Sequence, residues 1–163
     1  MERTTGIART ARTRWAKWIA AASFVALSGG VAGLTAAQAA GELPAAQRVG
    51  GVEVLTGGVG HDEARAMELE ARRWPLALEF AVKDGPHAEF AANVAVHVRD
   101  ARNRSVLEST ASGPFLLARL APGDYKVDAT LRGHTLQREV HVSAGQTAHV
   151  LLLWPQGVDI AAP

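Results

Sequence analysis

The chain contains no cysteine, which rules out disulfide staples and thiolate metal ligands. It has no Gly-x-Ser-x-Gly elbow, and Ser105, Ser109, Ser112 and Ser143 lie in or beside turn signals without a fixed histidine neighbour in sequence. Nucleophilic catalysis therefore has no foothold. Nor does the folding part carry an excess of positive charge. Residues 1–39 hold five of the 17 basic and one of the 16 acidic residues, so the remainder has 12 against 15, a net charge of −3. The whole-chain pI of about 8.3 thus belongs to the leader, and nucleic-acid binding, which needs a basic patch on the folded part, is not expected. No helix-length crossover separates the strand-like segments, which excludes a βαβ sheet.

What is present begins with an export signal. Arg3, Arg9, Arg12, Arg14 and Lys17 form a basic start, 19–34 is apolar and rich in small residues, and Ala37-Gln38-Ala39 offers small residues where a signal peptidase reads. Cleavage after Ala39 is expected, leaving a periplasmic or secreted chain with no membrane attachment. The alternative is a retained anchor, since the run just reaches spanning length. Ser28, Gly29, Gly30 and Gly33 weaken that reading, and it leaves the 37–39 motif without a role. No twin-arginine pair precedes the run, and without a cysteine after it lipoprotein processing is excluded.

Residues 40–60 are Gly- and Ala-rich and read as a flexible lead-in, with Val52 and Val54 able to add a short edge strand. A short helix is expected at 61–73, with Asp62 as N-cap, Glu63 in the first turn and Arg72 and Arg73 in the last. Glu68 and Arg72 stand four apart, and Met67, Ala71 and Trp74 share its apolar face. From 74 to 155 the period changes to two. Strands are expected at 74–82, 90–98, 105–110, 115–120, 125–131, 137–142 and 148–154, separated by Asp84-Gly85-Pro86, Ser112-Gly113-Pro114, Pro122-Gly123 and similar turns. Seven short strands with turns every eight to twelve residues describe an all-β, antiparallel sandwich. A disordered tail is expected at 156–163.

The run Gly113-Pro114-Phe115-Leu116-Leu117, then Leu120-Ala121-Pro122-Gly123-Asp124-Tyr125-Lys126-Val127, with Gly133, Val140, Val142 and Gly145, resembles the carboxypeptidase regulatory-like domain. That resemblance implies a seven-stranded transthyretin/prealbumin-like sandwich. It also implies structural roles for Pro122, Gly123 and Tyr125: proline sets the first turn residue, glycine takes a positive φ, and the tyrosine hydroxyl finds a backbone partner near the turn. Gly57 to Glu63, with 76–81 and 94–100 behind it, resembles a group of small exported proteobacterial proteins. Asn103 stands where those proteins usually carry glycine, and asparagine is the next best residue for a left-handed conformation. The regulatory domain is an appendage in zinc carboxypeptidases, so the likeness implies no peptidase activity. A transthyretin-like hydroxyisourate hydrolase shares the sandwich but ends in a Tyr-Arg-Gly-Ser type tail. This chain ends Val158-Asp159-Ile160-Ala161-Ala162-Pro163.

Among six histidines, His97, His141 and His149 fall on the outward phase of strands, where two could meet across a strand pair; ordinary outward polar positions are the simpler account. His61-Asp62-Glu63 opens a helix after a Gly-rich loop, but its two carboxylates oppose an anion and favour a capping and hinge role. Arg99, Arg102, Arg104 and Arg119 could face an acidic partner or an anionic polysaccharide, although Asp100 and Glu108 interleave them into a solvated rim. The expected function is a non-enzymatic exported interaction or accessory module that needs no cofactor and whose partner is another envelope protein or a glycan. The alternative is a periplasmic metal-binding or small-molecule carrier using His97, His141 and His149. Nothing in the residues sets an oligomeric state.

Overall fold

Apolar side chains at every second position must be buried on one side, and two sheets facing each other satisfy that. The computed structural model describes residues 42–158. One sheet has the order β1 (Gln47–Val49), β2 (Val52–Gly57), β7 (Phe115–Ala118), β3 (Leu76–Asp84), β10 (Ala148–Trp154), with β4 (His87–Phe90) also on β3. The other has the order β6 (Ser105–Ala111), β5 (Val94–Asp100), β8 (Gly123–Leu131), β9 (His134–Val142). Leu76, Leu78, Phe80 and Val82 of β3 meet Val94, Val96 and Val98 of β5 and Val127 and Ala129 of β8 in the core between the sheets. The described chain is thus an all-β sandwich with one helix, and no helix in it is long and apolar enough to cross a membrane.

The helix α1 (His61–Ala71) makes a third layer. Its Ala64, Met67 and Ala71 close with Trp74 over Leu55, Ala77, Phe115 and Leu117 on the outer face of the first sheet. All four residues of β7 are therefore buried: Leu116 and Ala118 face the inter-sheet core, Phe115 and Leu117 the helix. At about 25 cal/mol per Å² of apolar surface, this second cluster holds the helix far more firmly than eleven residues of helix propensity would.

Several expectations change. Residues 40–60 are not simply a flexible lead-in: β1 and β2 form an antiparallel hairpin, and β2 pairs with β7 from Val54↔Ala118 to Gly57↔Phe115. Gly60, not Asp62, is the N-cap, and it makes no side-chain cap bond; the helix ends at Ala71 with no basic residue in its last turn. Glu70 rather than Glu68 makes the ion pair, reaching Arg73 at 3.2 Å and accepting from Trp74 Nε1 at 3.1 Å. Trp74 lies outside β3, on the helix side. Phe90 belongs to β4, which folds back on β3, and 91–93 carry the chain to the other sheet. The pairing is also not wholly antiparallel: β10 runs parallel to β3, from Ala148↔Leu76 to Trp154↔Val82. Within the expected disordered tail, Val158 is only 5% exposed and packs on the core. The signal segment with its Ala39 cleavage point lies outside the described residues, as do 159–163.

At the turn before β8, Gly123 has a positive φ of 156°, a conformation that side chains rarely adopt, and already begins the strand. Tyr125 donates its hydroxyl to the Ala121 carbonyl at 2.8 Å, tying the strand to the turn containing Pro122. Burial, with a smaller push from Asp100, raises its phenol above the ordinary value. A raised folded value means the stabilisation is complete below about pH 10 and lost as pH climbs through the folded pKa. Tyr125 is the only tyrosine, so tyrosinate absorbance reports it alone. Tyr125→Phe is expected to cost about 1 kcal/mol at neutral pH and to flatten the alkaline limb of stability. An alkaline limb unchanged by this substitution would contradict that assignment.

Candidate functional site

The three outward histidines do not converge. His97 Nε2 lies 2.9 Å from Ser105 Oγ on the second sheet, His141 Nδ1 lies 2.6 Å from Asp124 Oδ1, and His149 Nε2 lies 3.4 Å from Glu79 Oε2 on the first sheet. His97 sits opposite Asp128 and His141 opposite Asp124, two strands over and four positions along, which separates them by about 16 Å at ordinary strand spacing. Among the described residues no group of three or more His, Asp or Glu is placed to hold a metal ion. His97 and Ser105 make a hydrogen-bonded pair but the ring's other nitrogen has no carboxylate to orient it among the described bonds, so the pair lacks the third member of a nucleophilic triad.

Arg99, Arg104 and Arg119 are likewise paired within the protein, although the buried Nε of Arg99 finds no hydrogen-bond partner. Arg99 bonds Asp128, which also accepts from Gln137, and reaches Asn103 at 2.8 Å. Arg104 pairs with Asp100, whose carboxyl is held below its ordinary value by the Arg104 side chain and by its backbone N–H. Arg119 pairs with Glu53 at 3.0 Å and stacks over Trp74 at 4.4 Å. Asn103 takes φ 61°. The outer face of the second sheet is therefore polar, with Arg99 held against Asp128 and Lys126 4.0 Å from Glu139. Its shallow groove, about 560 Å³, is lined by His97, Glu108, Asp128, Thr130 and Thr135 among others and has no Phe, Tyr or Trp ring to stack on a sugar.

A different surface stands out on the first sheet. β7 pairs with 76–79 of β3 and β4 with 81–84, so β4 continues the line of β7. β2, the outer partner of β7, stops at Gly57 opposite Phe115. Instead of running on beside β4, the chain turns at Gly58 and enters α1, and Glu63 Oε1 accepts the Gly58 N–H at 2.7 Å to fix that departure. No side chain takes the capping role expected of Asp62; Glu63 instead ties down the loop before the helix. The missing strand leaves the outer edge of β4 without a ladder partner among the described residues.

The space left is a groove of about 490 Å³ between 58–65 and 90–92, lined also by Pro114 and Glu68. Phe90 is 54% exposed and Val59 65%. Phe90 is held by an edge contact to Phe115, ring centroids 5.5 Å apart, so one side of the ring is fixed and the other faces water. The alternating pattern 90–98 places Phe90 in the core, and the structure puts it outside. The Gly57 to Glu63 run was the only sequence signal for this place. No protein-family model matches the chain, and neither does any curated protein sequence.

Proposed function

We propose that the chain is a non-enzymatic exported module, of the transthyretin/prealbumin-like, carboxypeptidase regulatory-like type, that binds another envelope protein at the groove beside Phe90. Support for the type comes from the order β7-β3-β10 against β6-β5-β8-β9, seven strands to which β1, β2 and β4 are additions, and from the Tyr125 hydroxyl on Ala121. Support for export comes from the 1–39 segment. The observation that carries the binding site is an exposed Phe90 beside an unpaired strand edge. An extended segment laid along β4 would gain main-chain hydrogen bonds there, and an apolar side chain could drop between Val59 and Phe90. A glycan fits less well, because the wide polar groove offers no Phe, Tyr or Trp ring and the apolar one few fixed donors.

A photo-crosslinking residue at Val59, in cells that export the chain, is expected to give a discrete protein adduct that disappears with Phe90→Asp. The same residue placed at Thr135 should give none. Equal adducts from both positions, or turnover of a substrate by the purified chain with no adduct at all, would overturn the proposal.

A further inference from the structure

The other side of the first sheet carries a second, independent surface. The Ala148 N–H donates to the Pro75 carbonyl at 2.9 Å, and in a strand the backbone groups of successive residues point to opposite sides. Ala148, Val150, Leu152 and Trp154 therefore turn their N–H and C=O groups toward β3, and His149, Leu151 and Leu153 turn theirs away from it. No strand pairs with β10 on that side among the described residues.

Proteins usually blunt such an edge with charge, proline or shortness. The other edges of this molecule follow that rule. β1 has three residues, β4 has four, β6 carries Glu108, and β9 carries Glu139 together with Arg138 on the phase that Val140 and Val142 use to face the core. β10 is seven residues, Ala-His-Val-Leu-Leu-Leu-Trp, without Asp, Glu, Lys, Arg or Pro. Its side chains add to the exposure, with Leu151 46% and Leu153 39% exposed on the outer face.

We infer that β10 is a self-association edge, on which a second copy of this chain pairs its own β10 antiparallel about a two-fold axis at Leu151. The register follows from the backbone. With Leu151 opposite its counterpart, His149 of each copy faces Leu153 of the other, and the outward N–H groups of all three residues in both copies find carbonyls. A two-fold at Val150 or Leu152 leaves Leu153 or His149 unbonded. An isologous contact sets each patch against itself, so a charged strand would repel its copy. β10 has no charged side chain except a protonated His149, which already lies beside Glu79. The neighbouring edge β9 presents Arg138 and Glu139, one charge of each sign. The leucines of the two copies then form one stripe, and the six-stranded sheets join across the axis. Such a contact is smaller than the roughly 800 Å² per partner of a standard interface, so a dimer of micromolar affinity is expected.

Sedimentation of the chain from Ala40 onward, which retains every described residue, tests this. A monomer–dimer equilibrium across the micromolar range is expected, and Leu151→Lys should weaken it about tenfold or more without changing the circular dichroism. Because the chain has no cysteine, Leu151→Cys supplies a second readout: oxidation should link two copies, whereas Leu69→Cys, 58% exposed on the helix, should not. A monomer at every concentration, a dimer indifferent to Leu151→Lys, or equal linking at both cysteines would each overturn the inference.

Discussion

Replacing Trp154 with alanine is expected to lower the free energy of unfolding by about 3–5 kcal/mol. Trp154 closes β10 and heads the fully buried side chains in volume. Its ring tilts against Phe80 at 6.3 Å, and its Nε1–H donates to the His134 carbonyl at 2.9 Å. The indole thus joins the first sheet to the edge strand of the second. Alanine opens a cavity and also leaves the His134 carbonyl without its donor, a separate cost of about 1–3 kcal/mol if that oxygen stays buried. With no disulfide and a total stability of about 5–15 kcal/mol, the variant should sit near its folding threshold. Trp154→Phe restores most of the volume but not the hydrogen bond, and about 1–2 kcal/mol should remain lost. Urea titrations read both effects; a Trp154→Ala midpoint within 1 kcal/mol of wild type at equal slope would show that the site is not packed as described.

Gly113→Ala is the second large effect, and it acts through backbone crowding. A Cβ at Gly113 would lie 2.3 Å from the Gly57 carbonyl oxygen and 2.5 Å from its carbon. Neither atom belongs to a flexible side chain, so β2 and the segment before β7 would have to separate. Overpacking of this kind costs about 1–3 kcal/mol, and the upper end is expected where backbone must move. Gly145, with φ 73° and open space around its Cβ position, supplies the contrast: Gly145→Ala carries conformational strain alone and should cost about 1 kcal/mol. The end of β2 also sets where the chain leaves for α1, so Gly113→Ala should disturb the Val59 groove while Gly145→Ala leaves it alone. Thermal melts rank the two, and equal shifts would contradict the close approach of Gly57 and Gly113.

Strands that bury one face and wet the other were readable from their period. β5 and β8 alternate cleanly, and their valines lie in the core as the pattern requires. Where the outer face is also covered, the period fails: Ala77 of β3 is buried under the helix although its phase points away from the inter-sheet core. Phe90 misleads for another reason. Its alternation with Ala92 and Val94 continues across a segment where the chain crosses between sheets, and the break at Asn93, φ 59°, has no periodic signature. The parallel pairing of β3 with β10 was invisible because strand direction is decided by partners far apart in sequence. The histidines show the same limit. Their outward phase could be read along each strand, but their separation depends on which strands become neighbours, and so does the opening beside β4.

The direct test of this architecture is residue-resolved amide exchange along β10, measured by NMR on the Leu151→Lys chain at a concentration where sedimentation shows it monomeric, so that no second copy covers the edge. Parallel pairing with β3 on one side and an open edge on the other predicts slow exchange at 148, 150, 152 and 154 and fast exchange at 149, 151 and 153. Uniformly fast exchange would remove β10 from the sheet, and uniformly slow exchange would mean that the edge is already covered within one chain.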